Sequence, residues 1–182
     1  MNMFKKIGAG LIAVVTGFAM LVYLQPDETL VTRSIAVAAP APAVFDQVNT
    51  LRNWDNWSPW AKIDPNAKIS FDGPPTGTGA SFAWSGNDKV GEGRMKIIDS
   101  RPGEHVHARV DFVRPFAGNS TSEFAFEPDG DKTKVTWNIR GHNDFLAKAI
   151  CLFMNPEKVL GPDMEKGLAQ LKAVTEAPAK PQ

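Results

Sequence analysis

Cysteine occurs once in the 182 residues, at Cys151, so no disulfide can form within the chain and cysteine carries no sign of redox compartment. A lone cysteine also excludes a Cys-x-x-Cys pair, and no His/Cys cluster has zinc spacing, so no metal site is expected. Excess charge of either sign is absent: 20 Lys+Arg face 20 Asp+Glu, and nothing points to nucleic acid. Set Lys5 and Lys6 aside and the remainder carries 18 basic against 20 acidic residues, a net of −2 that argues against docking on an anionic membrane through charge. The glycine-rich loop Gly73–Gly79 (GPPTGTG) lacks the trailing Gly-Lys-Ser/Thr and the following helix of a phosphate-binding loop. No cofactor motif and no internal repeat are visible.

One long apolar run is present. After a short N-terminus at 1–6, with Lys5 and Lys6, residues 7–24 carry no charge and as a helix would measure about 27 Å, close to a bilayer's hydrocarbon core. The run ends in Val22-Tyr23-Leu24-Gln25-Pro26, with no small-residue cleavage site, and the nearest Ala-x-Ala, Ala36–Ala38, lies inside a strand pattern. The expectation is an uncleaved transmembrane anchor with Tyr23 at the interface. Lys5 and Lys6 stay in the cytoplasm and the rest of the chain faces out, which in a bacterial envelope means the periplasmic side of the inner membrane.

A linker at 25–29 leads to one domain over 30–176 and a disordered tail at 177–182, where Pro178 and Pro181 stand. Leu30–Ala38 reads as a strand with Val31, Ile35 and Val37 on one face; Ala39-Pro40-Ala41-Pro42 breaks it; a helix over 43–50 follows, burying Val44, Phe45 and Val48. Short alternating segments come next: Lys68–Asp72, then 80–84, 91–100, 106–112, 120–126 and 135–139, separated by turn signals such as Pro128-Asp129-Gly130-Asp131. They predict an antiparallel meander, apolar on one face and wet on the other. Phe145–Met154 reads as a second short apolar helix holding Cys151 as an inert core thiol. The last helix, 156–176, repeats Leu160, Met164, Leu168, Leu171 and Val174 on one face, with Asn155 as N-cap, Pro156 at the first position, and Pro162 placed to kink or split it. Gly167, on its inner side, leaves room for a pocket.

The segment Leu51–Trp60 (LRNWDNWSPW) sets Trp54, Trp57 and Trp60 three apart, either as aromatic packing under the core or as the rim of a pocket mouth. Together with Ala39-Pro40 before Val44-Phe45, Val90-Gly91-Glu92-Gly93, Phe126-Glu127-Pro128, Thr133–Trp137 and Glu165-Lys166-Gly167-Leu168, this order resembles the START-like (SRPBCC, polyketide cyclase/dehydrase-like) proteins over about 30–176. The resemblance implies an α+β helix-grip fold, a curved antiparallel sheet wrapped around the long C-terminal helix with an apolar cavity between them. Such folds host lipid carriers, cyclases and hydratases, so the activity stays open.

If the apolar face meets the helix, the cavity is lined by Trp57, Trp60, Phe71, Phe82, Trp84, Met95, Val110, Phe112, Phe124, Phe126, Trp137 and Met164. Only Ser120 and Ser122 are polar there, and no titratable group is supplied for acid–base work. A bulge or a one-residue slip would bring Glu92, Arg109, Asp111 or Arg140 inward. His105 and His107 share a strand face without a third ligand nearby, and Arg140, His142 and Asp144 gather where the last strand ends. Three functions remain: binding of a small hydrophobic or amphipathic ligand such as a lipid, a cyclase- or hydratase-like enzyme drawing on Glu92, Asp111 or Arg140, and an envelope protein-interaction module.

Overall fold

The computed structural model describes residues 3–177, with side chains of the first helix from residue 7 onward. All of the expected tail except Ala177 lies outside the described residues. Helix α1 (Met3–Tyr23) leads into strand β1 (Glu28–Val37), so the linker is shorter than the sequence suggested. Among the described residues no helix is long and apolar enough to cross a membrane. The expected span over 7–24 therefore finds no support among the described residues, where helical structure ends at Tyr23.

Pro40 opens α2 (Ala41–Asn49), whose Val44, Phe45 and Val48 are buried as the periodicity predicts. A 3₁₀ turn (Leu51–Asn53) and the one-turn helix α3 (Trp54–Trp57) follow. Six strands then form: β2 (Lys68–Asp72), β3 (Ser81–Ser85), β4 (Glu92–Arg101), β5 (His105–Arg114), β6 (Gly118–Asp129) and β7 (Lys132–His142). Each pairs antiparallel with the next, and β1 joins on the far side of β7, giving the order β1-β7-β6-β5-β4-β3-β2. Register runs from Glu28 opposite His142 to Val37 opposite Thr133. Shifts at Glu92/Gly93 and Ile97/Asp99 interrupt the β4–β5 ladder, yet Met95, Ile97, Val106, Ala108 and Val110 stay on the buried face.

Helix α4 (Phe145–Cys151) ends three residues before the predicted Met154, and α5 (Pro156–Glu176) closes the fold. Asn155 caps α5 by accepting from the Glu157 N–H. Pro162 does not split α5. It lies on the exposed side, and so does Lys158, whose carbonyl loses its helical donor to the proline.

Helix α5 packs chiefly on β1, α2 and α3. Arg33 occupies an inward position on β1 between Val31 and Ile35, where its guanidinium bonds Glu157 (2.6 Å) and Glu165 (2.7 Å) of α5. Gly161 makes room, because a Cβ there would run into that guanidinium. Gly167 serves close approach rather than a pocket: a Cβ would stand 2.8 Å from Pro59 Cδ and 3.0 Å from Trp137 Cζ3.

Candidate functional site

Two aromatic groups occupy the helix-bearing face of the sheet. The first is core. Trp57, with none of its surface exposed, meets Trp54 at 4.6 Å and Phe124 and Trp137 at 5.9 Å between ring centroids. Phe124 stacks on Trp137 at 4.8 Å. The indole N–H groups are satisfied, Trp54 donating to Val48 O (2.8 Å), Trp57 to Gln47 O (3.0 Å) and Trp137 to Ser122 Oγ (2.9 Å). The space expected to be hollow beneath α5 is filled by these rings and by Met164, Leu168 and Leu171, all buried. Phe126 belongs to the same interior, edge-on to Phe45 at 5.8 Å.

The second group is open. Along β2, β3 and β5, Phe71, Phe82, Trp84 and Phe112 form a continuous ladder with centroid spacings of 6.1, 5.7 and 6.0 Å. Its members face inward by register: Phe71 pairs with Phe82, Trp84 with Gly93, and Gly93 with Phe112. Gly93 is required here, since a Cβ would meet the Trp84 ring at 2.5 Å. Because α5 packs over β1 rather than over this half of the sheet, the ladder is incompletely covered, and Phe112 is 42% exposed. Met95 and Val110 are buried beside it. At one end the Arg52 guanidinium lies 4.1 Å over the Phe71 ring centre and makes no ion pair among the described residues. Ladder and cation together form an elongated apolar surface with a positive terminus, suited to a flat or chain-like molecule bearing an anionic group.

None of the four ladder residues is titratable. Glu92, Asp111 and Arg140, the candidates for a polar pocket, stay on the outer face: Glu92 pairs with Arg114 (3.1 Å), Asp111 with Arg109 (2.8 Å) and Arg140 with Glu28 (3.1 Å). Of the predicted polar groups Ser120 and Ser122 keep the inward parity of β6, Ser120 half-buried and Ser122 buried, and Ser122 is occupied by Trp137. Trp60 is half-buried, edge-on to Trp137, and its indole N–H donates to Asp163 (3.3 Å). Asp163 is thus a half-buried carboxylate at the edge of α5's apolar stripe, beside the helix–sheet seam. The sequence missed Arg52; its one signal was a basic residue preceding the tryptophan run.

His105 and His107 lie on the outer face with rings 4.9 Å apart. Asp99, which spacing alone did not bring near, reaches His105 Nε2 at 2.7 Å, and this bond holds the Asp99 carboxyl below its ordinary value. Among the described residues no group of three His, Cys, Asp or Glu side chains could hold a metal. Arg140, His142 and Asp144 do not form a cluster: Asp144 instead caps α4, accepting from the Ala147 N–H at 2.8 Å. Cys151 is half-buried rather than core, and lines a separate open pocket of about 500 Å³ between β1, α4 and the start of α5.

Residues 28–176 match the family described as polyketide cyclase / dehydrase and lipid transport. Solved structures share the fold at low identity. Protein CV1439 from Chromobacterium violaceum is 14% identical with a TM-score of 0.58, the match covering 84% of this chain and 99% of that one. The Mll3558 protein from Rhizobium loti is 19% identical at 0.58, covering 80% and 96%. Aha1 from Colwellia psychrerythraea, a dimer in solution, is 15% identical at 0.59, covering 81% and 96%. No functionally curated protein matches the chain.

Proposed function

The chain belongs to the polyketide cyclase / dehydrase and lipid transport family, and from that membership we propose that it binds a small apolar or amphipathic molecule, a lipid among the candidates, along the ladder Phe71–Phe82–Trp84–Phe112. The observation that carries this reading is the incompletely covered half of the sheet face: a continuous aromatic row with Phe71 and Phe112 exposed at its ends and Phe82 and Trp84 half-buried between them, in a fold that buries Trp54, Trp57, Phe124, Phe126 and Trp137. Arg52 over Phe71 supplies the contact for a carboxylate or phosphate at one end of the ligand. A cyclase or hydratase reading has less support, since the carboxylates and the arginine it would draw on face outward in ion pairs. A protein-interaction reading is supported by the packed seam under α5, and it would use the same ladder.

The location proposed is the extracytoplasmic face of the inner membrane, with the domain held by its N-terminal segment. It rests on the uncharged run after Lys5 and Lys6 and on α1, which exposes Leu11, Ile12, Val14 and Val15. Digestion of the domain by protease only after inner-membrane lysis would refute this orientation.

Titration of the purified full chain with a fluorescent long-chain fatty acid tests the site. Phe112→Ala removes a half-covered ring worth about 1.5 kcal/mol of ligand contact, so affinity is expected to fall about tenfold. Arg52→Ala is expected to weaken the acid more than the corresponding alcohol. Saturable binding that neither substitution changes rules out the ladder; no binding at all moves the ladder to a protein partner.

A further inference from the structure

Helix α4 is built inside out. Its single charged side chain, Lys148, is buried with only 9% of the residue exposed, while Phe145 and Leu146 on the same helix and Phe153 and Met154 just beyond it stand in the open, Phe153 at 84% exposure. Lys148 is turned inward by Asp27, to which its ammonium is hydrogen-bonded, and it lies 5.9 Å over the ring of Tyr23. Solvent selects the opposite arrangement, lysine out and phenylalanine in. An apolar segment facing outward around a buried, paired lysine therefore needs a cover of its own.

The position of the segment identifies that cover. The last turn of α1 packs against α4, and Val22 there is fully buried. Tyr23 and Leu24 are exposed where α1 ends, and Leu11, Ile12, Val14 and Val15 are exposed along it. The outward apolar residues of α4 thus continue the apolar surface of α1 across one packed junction, with Lys148, the cation of α4, paired beneath them.

We propose that Phe145, Leu146, Phe153 and Met154 insert into the same bilayer that receives α1, forming a second contact that fixes how the domain sits on the lipid. The proposal rests on the membrane location given above and adds an orientation to it. The pocket of about 500 Å³ shares Leu152 and Phe153 with this segment and opens beside the surface. The domain then lies against the membrane through α4 and does not swing on a tether, and the loop joining α4 to α5 is held at headgroup depth.

Nitroxide labels on the full chain in phosphatidylcholine vesicles test this. A Cys151→Ala background carries single cysteines at Leu146, Phe153, Val14 or Lys96, the last exposed on the outer face of the sheet. Power saturation compares collisions with oxygen, which enriches in lipid, and with a water-soluble nickel complex. Oxygen is expected to dominate at Leu146, Phe153 and Val14, and nickel at Lys96. Nickel dominating at Leu146 and Phe153 while oxygen dominates at Val14 overturns this proposal and leaves the membrane location intact. Nickel dominating at Val14 as well overturns both. Dipolar broadening at Phe153 that disappears on dilution with unlabelled chain assigns the cover to a second copy and overturns the lipid contact. Circular dichroism of each labelled chain, matched to the wild type, shows that the label sits on a folded domain.

Discussion

Gly167→Ala is the substitution on which the packing of this fold turns. In a solvent-exposed helix, alanine in place of glycine stabilises by about 1 kcal/mol. At Gly167 the new Cβ would stand 2.8 Å from Pro59 Cδ and 3.0 Å from Trp137 Cζ3, inside the 3.4–4 Å of ordinary contact. Neither neighbour can step aside. Pro59 is a ring in the backbone, and Trp137 is stacked on Phe124, edged by Trp57 and Trp60, and tied through its indole N–H to Ser122. Overpacking costs about 1–3 kcal/mol, and with one contact under 3 Å and neither neighbour free this site belongs to the upper part, about 2–3 kcal/mol; less about 1 kcal/mol of propensity, the net loss is about 1–2 kcal/mol. For a domain of this size that lowers Tm by about 2–8 °C. Gly161→Ala is the internal control. Its Cβ meets the far end of the flexible Arg33 side chain, which can shift with its two carboxylate partners, so Gly161→Ala should lower Tm less than Gly167→Ala does. Thermal melts of the full chain in detergent, followed by near-ultraviolet circular dichroism, measure both. A Gly167→Ala chain that melts at or above the wild-type temperature refutes the reasoning, because it would mean that the space beneath α5 is hollow.

Two further outcomes follow from the same contacts. Trp57→Ala removes a fully buried ring that touches three other aromatics and is expected to cost about 3–5 kcal/mol in chemical denaturation; a loss below about 1 kcal/mol would place Trp57 outside the core. The hydrogen bond from Lys148 holds the Asp27 carboxyl below its ordinary 3.8, so ionised Asp27 favours the folded state. That contribution is complete above the ordinary carboxylate range and is lost as pH falls through the lower folded value. The stability gap between wild type and Asp27→Asn should therefore be widest near about pH 6 and close towards about pH 2–3, and a gap of constant size at all pH values contradicts the assignment.

The strands were legible because alternation over five or more residues leaves one consistent face, and that face survives both register shifts in β4. Pairing of β1 with β7 was not legible: Val31, Ile35 and Val37 say that β1 has an inner face but not which strand lies beside it. Arg33 was the missed signal. A charged residue in an otherwise apolar row asks for a partner, and Glu157 and Glu165, two turns apart on α5, provide it. The face assignment of Phe71, Phe82, Trp84 and Phe112 could be read from the sequence, but not that α5 would leave them open, since coverage depends on where the helix crosses the sheet. The spacing of Trp54 and Trp57 fits rim and core equally; the backbone carbonyls of Val48 and Gln47 in α2, which accept their N–H groups, make them core. Lys148 was hidden for a different reason: a lysine in a short apolar helix reads as the solvent side, and only Asp27, far upstream, turns it inward.

The pairing of β1 with β7 also sets an order of events. Strands β2 to β7 can zip hairpin by hairpin as they emerge, each closing a short loop. Thr29 and Asn143, which share a hydrogen bond at the start of β1, are 114 positions apart. Strand β1 therefore waits through the synthesis of nearly the whole domain, and α5, which rests on it, comes later still. A ribosome stalled before β7 leaves β1 without a neighbour and the tryptophan core without its lid, so the domain is completed in one late, long-range step at the end that emerges last.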